Sequence, residues 1–260
     1  MASGKEPEGE NVCRDGLDNL KEAEEKGYET LLEGSKKVWE KIWKKQDIQI
    51  DSKEDDAQIA VRFALYHLQI MVRSEDNRVG IGAKALSGEG YKGHSFWDTE
   101  TFIFPYFQMA EPKTARTLLE FRYKGLYGAR KKAIENGYKG AMYPWESSGK
   151  GNEDNTVTNI YGPFENHITG DVAMAAWQYY AVTQDLEWLR QKGFPILSAA
   201  AEYWVSRSEP NEAGEYEIRN VIGADEWNQN PQGGKNVNNN AIQTALRNPL
   251  WKLPVRLPNC

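Results

Sequence analysis

The chain has 260 residues, of which 40% are hydrophobic and 27% are charged, and its net charge is -6. These proportions are typical of a globular protein with room for a sizeable core. The acidic balance argues against nucleic acid and anionic membranes as partners. Cys13 and Cys260 stand near opposite ends, which argues against a disulfide framework. Because no apolar run resembles a signal peptide or a membrane span, we predict a cytoplasmic protein.

The first third of the chain is predicted to be helical after a disordered start. Residues 1–16 are polar, acidic and rich in glycine, which is typical of disorder. Apolar residues then recur at three- and four-residue spacing as far as Lys45, with helix breaks predicted at Gly27 and Gly34. The next helix runs to about Val72 and is apolar on most sides, so we expect it to be buried, with His67 as a core histidine.

Helices and polar loops alternate along the rest of the chain. TETFIFPYFQMA is predicted to form a short helix that stops near Pro105 or Pro112, and Pro112 can open a helix that ends before Gly137. Later helices are predicted in HITGDVAMAAWQYYAVTQ, after the capping residue Asp185, and in PILSAAAEYWVSRS. GEYEIRNVIG alternates and indicates a small hairpin or strand.

In chain order, a long polar loop stands at every second junction between the predicted helices. We define loop one as residues 82–100, loop two as residues 139–155 and loop three as residues 224–241. Paired helices with long loops at alternate junctions predict an all-α fold in which inner helices are wrapped by outer ones. In such an α/α toroid the loops converge at one mouth.

Each loop combines indole rings with carboxylates, which suits a sugar ring because the ring has an apolar face and a hydroxyl edge. Glycosidic cleavage needs a protonated carboxylic acid and a second group that is, or activates, the nucleophile. Burial among aromatic rings favours the protonated form of such an acid. Taken alone, each acid is more often a loop cap or an ion-pair partner than a catalyst, and the occurrence of three such loops in one chain shifts that balance toward catalysis. The candidates are Trp97, Asp98 and Glu100 in loop one, Trp145 and Glu146 in loop two, and Asp225, Glu226 and Trp227 in loop three.

Three sequence motifs make a family resemblance specific. GAKALSGEGYKGHSFWDTE, NGYKGAMYPWES and VIGADE followed by VNNNA resemble successive motifs of glycoside hydrolase family 65, in order, from about Gly27 to Ala241. That family comprises maltose, kojibiose, nigerose and trehalose phosphorylases and related α-glucoside hydrolases, built on an (α/α)6 barrel. The resemblance implies inverting cleavage of an α-linked glucosyl disaccharide. Inorganic phosphate is the co-substrate of a phosphorylase, and no other cofactor or metal is implied.

The resemblance also implies roles for individual residues. Glu226 matches the general acid, and Asp225 is its neighbour. The implied substrate-binding residues are Trp97, Asp98, Trp145 and Glu146. His167 and Asp171 match a family pattern and fit either helix-capping groups or ligand contacts, whereas Lys84 and His94 are expected to orient loops or line the pocket rim.

Departures from the family pattern predict an incomplete barrel, because Pro249, Pro254 and Pro258 interrupt the barrel helix that the family pattern continues after Thr244. We divide the chain into a disordered segment 1–16, linker helices 17–50, a partial catalytic barrel 51–244 and an atypical tail 245–260. The resemblance places the group opposing Glu226 beyond Ala241, so we expect little turnover from this chain and exposed apolar helix flanks that favour a homodimer. A trehalose or α-glucoside hydrolase and a non-catalytic carbohydrate-binding protein remain alternatives.

Overall fold

The structure is a computed structural model that describes residues 10–53, 55–85, 88, 90–155 and 162–224. Helices dominate these residues, as predicted, and a single small hairpin accompanies them within the described part of the chain. The α-helices are α1 (Glu10–Gln46), α2 (Asp56–Ile70), α3 (Phe104–Ala110), α4 (Pro112–Lys124), α5 (Leu126–Glu135), α6 (Ile168–Thr183), α7 (Leu186–Trp188) and α8 (Phe194–Arg207). The strands are β1 (Glu209–Pro210) and β2 (Tyr216–Glu217), which pair antiparallel with Glu209 opposite Glu217.

The chain divides into two compact units, residues 1–67 and 68–260. In the first unit, α1 begins at Glu10 and so includes residues that we expected to be disordered. Gly27 interrupts the helix with φ 72° and ψ 162°, which confirms the predicted break there. The break predicted at Gly34 is wrong, because the helix continues through it.

The prediction that α2 is a buried helix is also wrong. In α2, Leu65 is buried among the described residues, but Ile59 and Phe63 are 63% and 65% exposed. An apolar sequence indicates what a helix can bury but does not supply the partner that covers it. His67 is therefore half-buried rather than in a core, although its Nδ1 lies 2.7 Å from the carbonyl oxygen of Phe63.

The second unit is organised around α6, which packs against α3, α4 and α8. Small residues let these neighbours approach closely, since Ala173, Ala175 and Ala176 on α6 are almost fully buried. Trp204 of α8 and Ala115 of α4 are also fully buried. This arrangement, an inner helix wrapped by outer ones, is part of an (α/α)6 toroid, as predicted.

Two helix boundaries differ from the prediction. Pro105 stands in the first turn of α3 and starts that helix instead of stopping it, because its missing N–H is not needed there. The single helix predicted after Pro112 is divided at Gly125 into α4 and α5. Asp185 caps α7 as expected, accepting a hydrogen bond of 3.0 Å from the backbone N–H of Trp188.

Candidate functional site

Loops one and two are joined by a short backbone bridge. The N–H of Ser95 donates to the carbonyl of Ser147 at 3.1 Å, and the N–H of Ser147 donates back at 2.9 Å. The bridge places Phe96 edge-on to Trp145, with ring centroids 4.9 Å apart. The predicted convergence of the loops therefore holds for the first two of them.

Glu146 and His94, predicted from separate loops, are hydrogen-bonded to each other. His94 Nδ1 lies 2.9 Å from Glu146 Oε1, and its Nε2 lies 3.3 Å from Asp154 Oδ2. A protonated imidazole can donate to both carboxylates at once. Glu146 is 1% exposed, whereas Asp154 is about half exposed and also lies 3.8 Å from Lys92. His94 thus contacts Glu146 directly, and its role in orienting a loop stays a prediction.

Glu153 holds the Trp145–Glu146 pair in place. Its two carboxylate oxygens accept the backbone N–H groups of Trp145 and Glu146 at 3.0 and 2.9 Å, and Lys132 of α5 forms an ion pair with it. Burial lowers the pKa of Lys132, and the charge of Glu153 opposes that effect. Sequence reasoning missed both residues. The available signal was that Lys132 lies on the buried stripe of α5, beside Ala129 and Ala133.

The start of α6 contacts loop one through a buried histidine. His167 is fully buried, its Nδ1 lies 2.7 Å from Asp171 Oδ2, and its Nε2 lies 3.4 Å from Glu165 Oε2. Its ring meets the ring of Trp97 edge-on, with centroids 4.8 Å apart and an interplanar angle of 84°. The structure thereby brings together Trp97, His167 and Asp171. Glu165, which the sequence analysis did not single out, belongs to the same cluster.

The protonation of His167 makes a testable contribution to stability. Burial lowers the pKa of His167, but hydrogen bonds and negative charge from Asp171 and Glu165 outweigh it and raise the pKa from 6.5 to about 9. Because the folded pKa is the higher one, this stabilisation is fully present below pH 6.5 and is lost as pH rises through about 9. The shift corresponds to on the order of 3 kcal/mol.

We therefore expect the free energy of unfolding, measured in urea, to fall between about pH 6 and about pH 9.5. The variant His167→Gln lacks the titrating group, so its stability should change much less over that range. If the free energy of unfolding fell equally with pH in the wild-type chain and in His167→Gln, the raised pKa of His167 would be contradicted.

The remaining candidates of loops one and two differ in exposure. Trp97 is 7% exposed and Trp145 is 6% exposed, whereas Asp98 reaches the surface. Lys84 is exposed, and its Nζ lies 5.7 Å from the ring centroid of Tyr91, within loop one. These positions fit indoles that form the wall of a pocket and an aspartate that faces solvent.

Glu100, the other candidate carboxylate of loop one besides Asp98, is removed from solvent by Arg122 of α4. Two hydrogen bonds of 2.7 Å join their side chains, each of which is 2% exposed. A third bond, of 2.8 Å, runs from Arg122 to the carbonyl of Phe96. Burial raises the pKa of Glu100, and the Arg122 guanidinium opposes this increase. Glu100 is therefore an anchor of loop one.

The segment that leads to loop three lies beside α6. Ile222 and Glu165 form a parallel backbone bridge, and the N–H of Ile222 donates to the carbonyl of Phe164 at 3.4 Å. The described chain continues to Ala224, which packs against the core. Asp225, Glu226 and Trp227, the predicted acid loop, lie outside the described residues, as does Cys260.

Neither a metal site nor a membrane-spanning helix is evident in the part of the chain that the structure describes. No group of three or more His, Cys, Asp or Glu side chains there could hold a metal ion. The helices of the same residues are all too short or too polar to cross a bilayer.

Paired helices around α6, with indole and carboxylate loops meeting at one end, define a helical-toroid protein with features of a carbohydrate site. Residues 62–252 match the model of the glycosyl hydrolase family 65 central catalytic domain. The chain therefore belongs to glycosyl hydrolase family 65, which confirms the resemblance seen in its motifs.

Individual relatives include both hydrolases and phosphorylases. The chain is 47% identical to a kojibiose hydrolase from Flavobacterium johnsoniae over 85% of its own length and 32% of the relative's. It is 46% identical to a kojibiose phosphorylase from Halothermothrix orenii, over 91% and 31% of the two chains. A solved structure, a putative kojibiose phosphorylase from the human microbiome, superposes with a TM-score of 0.80 at 26% identity, over 94% of this chain and 35% of that one. The chain thus spans about a third of the length of the relatives it matches.

Proposed function

We propose that this chain is part of the catalytic barrel of an enzyme that cleaves an α-glucosyl disaccharide with inversion, using phosphate, and that Glu226 is the general acid. Family membership supports the reaction class. The observation that carries the proposal is the backbone bridge between Ile222 and Glu165. It pairs Ile222, four residues before Glu226, with Glu165, whose side chain contacts His167.

The position of Glu226 in the family match supports its role. Glu226 lies within residues 62–252, which match the family 65 central catalytic domain. The motif VIGADE, which contains it, resembles the family motif that carries the general acid. Ala224, the last described residue before it, packs against the core of the second unit.

The described residues suggest how the glucosyl unit is held. Trp97 and Trp145 provide apolar surface for the ring face, and Asp98 and Glu146 provide acceptors for its hydroxyl groups. His94 orients Glu146, and the Glu165–His167–Asp171 cluster supports Trp97. Lys84 stabilises loop one at the rim. Rigid support of this kind keeps a sugar in the orientation that proton transfer requires.

In the proposed reaction, Glu226 gives its proton to the glycosidic oxygen as the bond to the anomeric carbon breaks. Inorganic phosphate attacks that carbon from the opposite face, which inverts its configuration and yields β-glucose 1-phosphate. No residue of this chain is assigned to hold the attacking phosphate. We infer no other cofactor and no metal.

Kojibiose is the substrate that we propose. The relatives of 47% and 46% identity are both named for it, one as a hydrolase and the other as a phosphorylase. Because these two sequence identities are nearly equal, hydrolysis, with water in place of phosphate, is the second candidate function. Sugar release that is independent of phosphate would favour the hydrolase, and binding without any turnover would favour a non-catalytic carbohydrate-binding protein.

The acid role of Glu226 can be tested with two substrates that differ in their leaving group. In a protein that contains this chain together with the rest of the barrel, we expect Glu226→Gln to slow cleavage of kojibiose by roughly 100-fold or more, because the leaving sugar needs a proton. Turnover of α-glucosyl fluoride should be nearly unaffected, since fluoride leaves without protonation. Glucose and β-glucose 1-phosphate are measured with and without phosphate. Glu212→Gln is the matched control, because it makes the same charge change on the exposed hairpin turn and should leave both rates unchanged.

Calorimetry with the same proteins separates binding from catalysis. Kojibiose should bind the wild-type chain and Glu226→Gln equally, in preference to maltose, nigerose and trehalose. Equal loss of turnover on kojibiose and on α-glucosyl fluoride would contradict the acid role.

The wider organisation of the protein also remains a proposal. We propose that residues 17–50 are linker helices and that residues 51–244 form the partial barrel, followed by an atypical tail. The exposed apolar side chains of α2, Ile59 and Phe63 among them, support a homodimer. We further propose a cytoplasmic location, with no nucleic acid or membrane as partner.

A further inference from the structure

A polar cavity of about 260 Å³ lies between loop two and the hairpin that follows α8. It shares no lining residue with the Trp97, Glu146 and His167 cluster. Its lining comes from the ends of α5 and α8, from the segment before α6, and from the hairpin and the residues after it. The lining residues are Asn136, Tyr138, Met142, Phe164, Asn166, Arg207, Glu209, Arg219 and Asn220.

The segment before α6 separates this cavity from the proposed catalytic site. Glu165 and His167 hydrogen-bond to each other and belong to the cluster beneath Trp97. Phe164 and Asn166, the residues alternating with them, line the cavity instead. A ligand in the cavity would therefore not occupy the sugar site that we propose for catalysis.

Arg207 gives the cavity a buried positive charge. Its side chain is 7% exposed, and its hydrogen bonds run to neutral oxygens: the Asn166 side chain at 3.3 Å, and the backbone carbonyls of Arg219 and Asn220. Its guanidinium also lies over the ring of Tyr138, 5.2 Å from the centroid. Among the described residues, no carboxylate forms an ion pair with it.

A buried charge without a counter-charge is costly, and proteins ordinarily pair such groups. Among the described residues, the other charges at the cavity do not supply such a partner. Arg219 lies 3.7 Å from Glu209 and 3.1 Å from Glu217, so both acids already face a guanidinium. Two arginines and one glutamate line the cavity, which leaves a net positive charge there.

We propose that this cavity binds a phosphate group, either inorganic phosphate or the phosphoryl group of a sugar phosphate, with Arg207 as its charge partner. A planar guanidinium suits phosphate because it can donate two parallel hydrogen bonds. Asparagine amides around the cavity provide neutral donors. The exposed ring of Phe164 and the ring of Tyr138 provide apolar surface for an attached sugar. The site is independent of the proposed catalytic function.

Calorimetric titration of the purified chain tests the proposal, with inorganic phosphate, glucose 1-phosphate and glucose 6-phosphate as separate ligands at constant ionic strength. Glu209→Gln removes the one carboxylate of the lining, and we expect it to tighten phosphate binding about two- to fivefold. Glu212→Gln makes the same charge change on the exposed hairpin turn, outside the lining, and should leave binding unchanged. Arg207→Gln should weaken binding by about tenfold or more.

The three ligands distinguish the two sources of phosphate. Tighter binding of either sugar phosphate than of inorganic phosphate assigns the site to a sugar phosphate, and equal affinities assign it to the free ion. Phosphate bound at the proposed catalytic site instead would have the same affinity for the Glu209→Gln variant as for the Glu212→Gln variant. If Arg207→Gln fails to fold, the comparison of Glu209→Gln with Glu212→Gln still tests whether phosphate binds in this cavity. Absence of phosphate binding, or identical affinities for both glutamate variants, would overturn the proposal and leave Arg207 with only its structural bonds.

Discussion

Replacing Arg122 with methionine should lower the free energy of unfolding by about 3–5 kcal/mol. Arg122 is the sole ion-pair partner that the described residues give Glu100, and both side chains are 2% exposed. The substitution leaves a buried carboxylate without a counter-charge and removes the hydrogen bond to the carbonyl of Phe96. Loop one is anchored to α4 through these bonds, so its ordering should suffer as well.

The double variant Arg122→Met with Glu100→Leu provides the control. It removes the buried charge altogether, and replacement of a buried ion pair by apolar residues is often neutral or stabilising. We expect the double variant to recover more than half of the free energy of unfolding that the single variant loses, as measured by urea unfolding. A single variant that loses less than about 1 kcal/mol would show that Glu100 finds another partner or becomes protonated at little cost.

Replacing Gly151 with alanine should cost about 2–5 kcal/mol, because both backbone strain and a steric clash oppose it. Gly151 has φ +73°, and a Cβ there would lie 2.3 Å from the carbonyl oxygen of Gly125, at the junction of α4 and α5. The clash is with backbone, so loop two must move away from α5. That movement would separate Glu153 from Lys132 and release the Trp145–Glu146 segment that Glu153 holds.

Gly149→Ala is the matched control, two residues away in the same loop. Its Cβ would meet nothing within 4 Å, and its φ is not positive. We expect a change within about 0.5 kcal/mol for this variant. Urea unfolding measures the stability of both variants, and kojibiose titration measures whether loop two still supports binding. Similar results for Gly149→Ala and Gly151→Ala would refute the close contact between loop two and α5.

Local residue types were enough to identify the parts of the candidate site. Trp97 and Trp145 could be recognised because an indole next to a carboxylate in a glycine-rich loop is uncommon in a scaffold. The alternation of helices and loops predicted the toroid, because paired helices place alternate loops at the same end. His94 was expected to orient a loop, and the structure identifies Glu146 as the residue that it contacts.

Charge partners could not be predicted in the same way. Glu100 counted among the loop-one carboxylates, yet Arg122, 22 positions further along the chain, removes it from solvent. Lys132 and Glu153 are 21 positions apart, and only packing of loop two on α5 brings them together. The pairing of distant charges depends on which helices become neighbours, and residue spacing along the chain carries no information about that.

The amino-acid sequence by itself determined the helical class, the loops that carry indoles and carboxylates, and family membership, because these follow from local periodicity and from motifs in order. Tertiary structure alone decided that α2 exposes its apolar side chains, that Glu100 is an anchor, and that Arg207, which pairs with no carboxylate of the described residues, lines a second cavity. The physical reason is that burial and ion pairing are properties of contacts between distant segments. A side chain's chemistry limits what it can contact, and only the packed neighbours settle what it does contact.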